Sequence, residues 1–177
     1  MALRHDLPEL EEMTHHVAYE HRGLWWFLTV DVPLGSSNER GRLLAALMQQ
    51  ARLEAGLIHL RVLADFLLSS RDERYPLGLV ADDYFDDGWP KRPNVVIGKD
   101  TNEQKEILDD LHARLAHLSL RRLDKTTVHK GFEWATVMAL APRTLRTFAR
   151  FVSELKGVHP ERATWFADKI PPEALTL

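Results

Sequence analysis

The chain contains no cysteine, which removes disulfides, thiolate metal sites and cysteine nucleophiles at once. It also lacks a long apolar run: the longest, residues 24–30, is far too short to cross a bilayer. Residues 1–12 carry charges and no apolar stretch, so they do not read as a secretory signal, and the expected location is the cytoplasm. No charge of one sign dominates. Lys and Arg total 23 against 26 Asp and Glu, a net charge of -3, which argues against indiscriminate coating of nucleic acid. Glycine-rich phosphate loops, a Gly-x-Ser-x-Gly elbow and His-Glu-x-x-His are absent, so P-loop hydrolysis, the common serine hydrolases and zincin chemistry drop out. No cofactor motif remains.

What is present is helical periodicity. With 177 residues, 45% of them hydrophobic, the chain suffices for one core, and residues 1–177 are read as one domain. Asp6, Pro8 and Glu9 start a helix whose Leu10, Met13, Val17, Leu24 and Leu28 recur to about Thr29. Ser36 and Glu39 form a capping box that opens a run of about thirty residues, 39–69, without proline. Apolar residues spread round most of that second helix, as expected of a central helix packed on several sides. The connection 69–100 is irregular, with a short helix expected within 77–85, and a loop of that length suggests a lid or binding segment. Asp100 or Thr101 caps a third helix with the seam Leu108, Leu111, Leu115 and Leu118. A fourth helical region begins at Gly131, is interrupted or restarted at Pro142, buries Leu145, Phe148, Val152 and Leu155, and stops at Gly157. A last short helix, 160–169, docks Trp165 and Phe166. The expected fold is all-α: a bundle of four main helices with a long 69–100 loop and a short C-terminal helix.

Several clusters invite chemistry. Glu12, His16 and Glu20 stand one turn apart, a spacing that suits a metal, but no second Glu-x-x-His repeats it, so solvated charges are the plainer account. Asp82, Asp83, Asp86 and Asp87 lack the pattern of a calcium loop and read as a solvated acidic edge. The stretch 112–130 is the one basic region, suited to phosphate or merely to a helix C-terminus. On the second helix, Gln50, Glu54, Arg61 and Asp65 share one side, and Arg52 and His59 share nearly the opposite one. Charges on a buried helix must be paired or used. As a buried pair, Arg61 and Asp65 are expected to cost about 3–5 kcal/mol when one partner is removed.

Tyr19 and Glu20, the run from Gly56 through His59, Arg61 and Asp65 to Leu67, Ala81 through Phe85, and Leu115 with His117 and Leu118 resemble a widespread group of uncharacterised bacterial helical proteins, over most of residues 10–155. That likeness implies an architecture and no activity. More distantly, Arg52 followed by His59 resembles the arginine-to-histidine spacing of the HEPN superfamily, although Leu53 stands where that family usually has a polar residue. The resemblance implies metal-independent RNA cleavage of a defence or toxin kind, with His59 as base, Arg52 as phosphate-binding cation, and His117 and Arg121 assisting. Arg61 and Asp65 complete the set of candidate site residues. Residues seven apart are about 10.5 Å apart along a helix, so a homodimer would help to bring Arg52 and His59 to one phosphate. RNA or a protein is the expected partner. The alternative is a non-catalytic binding or regulatory bundle, in which His59 and His117 are core histidines and Glu54, Arg61 and Asp65 an internal network.

Overall fold

The computed structural model describes residues 5–30, 38–69, 78–97, 100–115 and 134–176. The fold is all-α. Helices α1 (Leu7–Thr29), α2 (Glu39–Leu68), α3 (Thr101–Leu115) and α4 (Trp134–Val158) form the bundle, and the short α5 (Pro160–Ala167) closes it.

The caps follow from short polar side chains placed where the first N–H groups lack partners. Asp6 accepts from the Glu9 N–H at 2.8 Å, with Pro8 in the first turn of α1. Asp100 accepts from the N–H groups of Asn102 and Glu103, each at 2.9 Å. The cap of α2 is Asn38, accepting from Gly41 at 2.7 Å. It replaces the expected Ser36, which lies outside the described residues. Helix α4 runs unbroken through Pro142, and Gly157 sits within its last turn instead of ending it.

The core is aromatic. Phe66 of α2, Phe148 and Phe151 of α4, Phe166 of α5 and Tyr84 interlock edge to face, with Phe151 5.4 Å from both Phe66 and Phe166. Such contacts add to the burial of large rings. Tyr84 belongs to a 3-10 turn, Ala81–Tyr84, and its hydroxyl donates to the Leu10 carbonyl at 3.2 Å and meets the Thr14 hydroxyl at 3.1 Å. Burial pushes that phenol well above its ordinary range. The connection expected to act as a lid is thus core over its described part. Val80, Tyr84, Phe85, Trp89, Val96 and Ile97 are all buried. The acidic cluster is a solvated edge only in part: Asp86 and Asp87 are exposed, but Asp82 and Asp83 turn inward. Buried Asp83 accepts from the Val80 N–H at 3.0 Å, Asp82 pairs with Arg92 at 3.0 Å, and Asp86 receives Arg162 at 2.8 Å. The hydrogen bond from Arg162 holds the Asp86 carboxyl below its usual range. Buried Gln104 satisfies the same segment, accepting from Val96 and Ile97 and donating to Asn94.

Helix α2 is central over only half its length. Gly56, Leu57, Leu60, Leu63, Ala64, Phe66 and Leu67 are buried, but from Arg42 to Ala51 no residue is. Leu43 and Leu47 are 62% and 60% exposed, which corrects the expectation of a helix packed on several sides throughout.

His21 of α1 is fully buried against the Phe148 ring at 4.6 Å, and neither ring nitrogen has a hydrogen-bond partner among the described residues. Desolvation lowers its pKa from 6.5 to about 4. The unfolded chain therefore takes up this proton before the folded chain does. The stability is intact above the unfolded value and is lost as pH falls from 6.5 through about 4, by roughly 3 kcal/mol in all. Thermal melts between pH 7 and 4.5 should show this decline, and His21→Leu should flatten it.

Candidate functional site

Helices α1 and α2 pack antiparallel at unusually short range, and two glycines permit it. A methyl group at Gly23 would overlap the His59 ring, and one at Gly56 would overlap the Phe27 ring. Beside this contact lies a groove of about 570 Å³. Tyr19, Arg22, Trp26 and Val30 line it from α1, and Arg52, Ala55 and His59 from α2. Most of the lining is apolar in kind. Tyr19 is 58% and Trp26 62% exposed, large aromatic surfaces that stand at the groove without being covered by described residues.

The polar features of the groove are few and specific. His59 Nδ1 lies 2.7 Å from Glu20 Oε2, both side chains being mostly buried. A carboxylate oxygen accepts, so Nδ1 carries a proton, and in the neutral imidazole the lone pair is then on Nε2. No described residue hydrogen-bonds Nε2. The His59 and Tyr19 rings meet in a T-shaped contact, with centroids 5.5 Å apart. Arg52 donates to the Phe27 carbonyl at 2.5 Å, and its guanidinium lies 5.5 Å from the centre of the Phe27 ring. That carbonyl is in the last turn of α1, where acceptors lack helical partners and a cation complements the dipole. Arg22 is exposed on the rim.

Of the residues singled out from sequence, the structure brings Arg52 and His59 to one groove and separates Arg61 and Asp65 from it. Arg61 Nε is 3.7 Å from Asp65 Oδ2 on a different side of α2, with side chains 29% and 37% exposed. Exposed Glu54 holds Gln50 at 2.9 Å instead of joining them. Glu54 thus stays outside the expected internal network, while Arg61 and Asp65 face each other as a partly buried pair. His117 and Arg121 lie outside the described residues, as does most of the basic stretch 112–130. Sequence reasoning missed the role of Glu20 as the partner of His59 and the groove residues Arg22 and Trp26. The signal for Glu20 was slight, an acid on the face of α1 that returns past α2.

These features define an all-α bundle with a groove that pairs aromatic surface with a carboxylate-oriented histidine. Set against protein-family models, curated proteins and solved structures, the chain matches none. Among the described residues no group of three or more His, Asp or Glu is placed to hold a metal ion, and no helix is long and apolar enough to cross a membrane.

Two substitutions test this geometry. Gly→Ala inside a helix ordinarily stabilises by about 1 kcal/mol. Gly23→Ala should instead destabilise, by roughly 1–3 kcal/mol from overpacking, and displace His59 from Glu20. Denaturant melts read the first effect and the imidazole NMR signals of His59 the second. By contrast, Arg61→Ala should cost about 1 kcal/mol, well short of the roughly 3–5 kcal/mol of a fully buried pair, because the two side chains are only partly buried.

Proposed function

We propose that the α1–α2 groove binds single-stranded RNA and cleaves it without a metal, a HEPN-like activity of the RNA-processing, defence or toxin kind in the cytoplasm. The observation that carries this reading is the Glu20–His59 pair, 2.7 Å apart, on the wall of a groove that also holds exposed aromatic rings and two arginines.

Each part answers a need of the chemistry. Tyr19 and Trp26 offer faces on which bases stack, an affinity that tolerates any sequence. Arg22 and Arg52 supply positive charge for a phosphate whose negative charge grows as the reaction proceeds. His59, held by Glu20 with its lone pair on Nε2, takes the proton from a ribose 2′-hydroxyl. The 2′ oxygen attacks phosphorus, the 5′ oxygen departs and takes a proton from water, and the products are a 2′,3′-cyclic phosphate and a 5′-hydroxyl. The axial separation of Arg52 and His59, about 10.5 Å, means that the extended Arg52 side chain must span it to reach the phosphate at which His59 acts.

A second reading has its own support. Arg52 already donates to the Phe27 carbonyl, and the lining is largely apolar, which suits a non-catalytic binding or regulatory bundle. One experiment separates the two. Single-stranded RNA is incubated with the full chain in excess chelator, with binding followed by fluorescence polarisation and cleavage by the appearance of cyclic-phosphate ends. On the RNA-cleaving reading, His59→Ala and Glu20→Gln lower cleavage by about 100-fold or more, while Trp26→Ala weakens binding. Binding without cleavage establishes the second reading for RNA, and absence of both rejects RNA as the ligand.

A further inference from the structure

The face of α2 turned away from the core carries Leu44, Met48, Ala51, Ala55, Ile58 and Val62, at alternating spacings of four and three. That is the a/d rhythm of a helix that packs along another helix. All six are exposed, Leu44 by 58% and Met48 by 50%. Over 18 residues the seam runs about 27 Å. With Leu43 and Leu47 beside it, the face offers on the order of 500 Å² of apolar surface, the size at which such patches on soluble chains are usually functional. Helices in folded proteins owe most of their stability to packing, yet residues 42–51 contribute no buried side chain.

We propose that a second copy of this chain docks here, its α2 antiparallel to the first, with the two-fold axis passing at the level of Leu53. The seam is self-complementary about that point. Leu44 then faces the partner's Val62, Met48 faces the partner's Ile58, and Ala51 faces the partner's Ala55. Large side chains meet large ones towards the ends, and small ones meet at the centre, where the backbones come closest. An interface of this kind is isologous and closes after two subunits.

The charges flanking the seam are engaged within their own chain. Arg52 turns back to the Phe27 carbonyl, Glu54 holds Gln50, and Arg61 lies 3.7 Å from Asp65, so each of these charges has a partner or counter-charge on its own chain when the seam is covered. A stable interface buries about 800 Å² per partner, and the polar rim beside the seam supplies what the apolar face does not. The inference rests on this face and not on RNA cleavage.

The chain's lack of cysteine allows a direct test of register. In sedimentation equilibrium at about 10 μM, the full chain should have twice its monomer mass, and Ala51→Glu or Ile58→Glu should weaken association at least 100-fold while leaving the far-ultraviolet circular dichroism unchanged. Both positions are exposed in the single chain, so the fold has no reason to fail. Mixed Leu44→Cys and Val62→Cys chains should form an intermolecular disulfide, and neither chain should do so by itself. A monomer at that concentration, a dimer unaffected by Ala51→Glu and Ile58→Glu, or self-linking of Leu44→Cys would overturn the proposal.

Discussion

The short-range contact of α1 and α2 is the constraint on which the site depends. At Gly23 and Gly56 one helix receives a ring from the other, His59 in the first case and Phe27 in the second. A side chain at either position would hold the helices apart and would separate His59 from Glu20. The same approach puts the Phe27 carbonyl within reach of Arg52. A helical hairpin with larger residues at these points would still bury Leu24, Leu60 and Leu63, but its histidine would be unoriented. The glycines therefore serve position more than flexibility. Both lie inside helices, where glycine is otherwise a cost.

Away from the groove, most of the placed charge serves to hold irregular chain against the bundle. Backbone outside helices must find partners if it is to be buried. Residues 78–97 find them in Asp82, Asp83, Gln104 and Arg162, the last donating to the Tyr84 carbonyl at 2.8 Å. Trp89 donates through its indole to Glu154 at 2.6 Å, and Arg150 bridges from Glu154 to the Lys91 carbonyl. Burial pushes the Glu154 carboxyl up, but the hydrogen bonds from Arg150 and Trp89 outweigh it and leave the group below its usual range. Carboxylates spent in this way are poor metal ligands. The acidic cluster is better understood as the means by which a long connection becomes core.

The helices were legible because their signals are local. Asp6, Asp100, the apolar stripe of α4 and the unbroken run of α2 each declare themselves within a few turns, and the bounds of α2 fell within one residue of those observed. What could not be read depends on which distant residues meet. The burial of residues 78–97 arises from Tyr84 reaching Thr14 and Trp89 reaching Glu154, contacts across 65 to 70 positions that no periodicity encodes. The same limit hid Glu20, whose partner is 39 positions away. The shared face of Arg52 and His59 was visible because helical geometry alone places them together. Whether that face met core or groove was not, since exposed apolar residues such as Leu43 and Leu47 look, in sequence, like buried ones.

That last ambiguity has a physical reading. A helix apolar all round is ordinarily one surrounded by protein, and α2 is surrounded over only part of its circumference among the described residues. Its core side is occupied by Leu57, Leu60 and Leu63, while its outer side presents small residues at the centre and large ones towards both ends. A surface selected only for solubility has no reason to arrange side-chain size symmetrically about Leu53. In the proposed dimer the partner would cover that outer side, and the apolar residues that suggested a fully packed helix would have a physical reason to be there. Arg52 and His59 lie along the same edge of the seam, so the two-fold axis of the proposed dimer would place both grooves on one side, with their Arg52 ends adjoining.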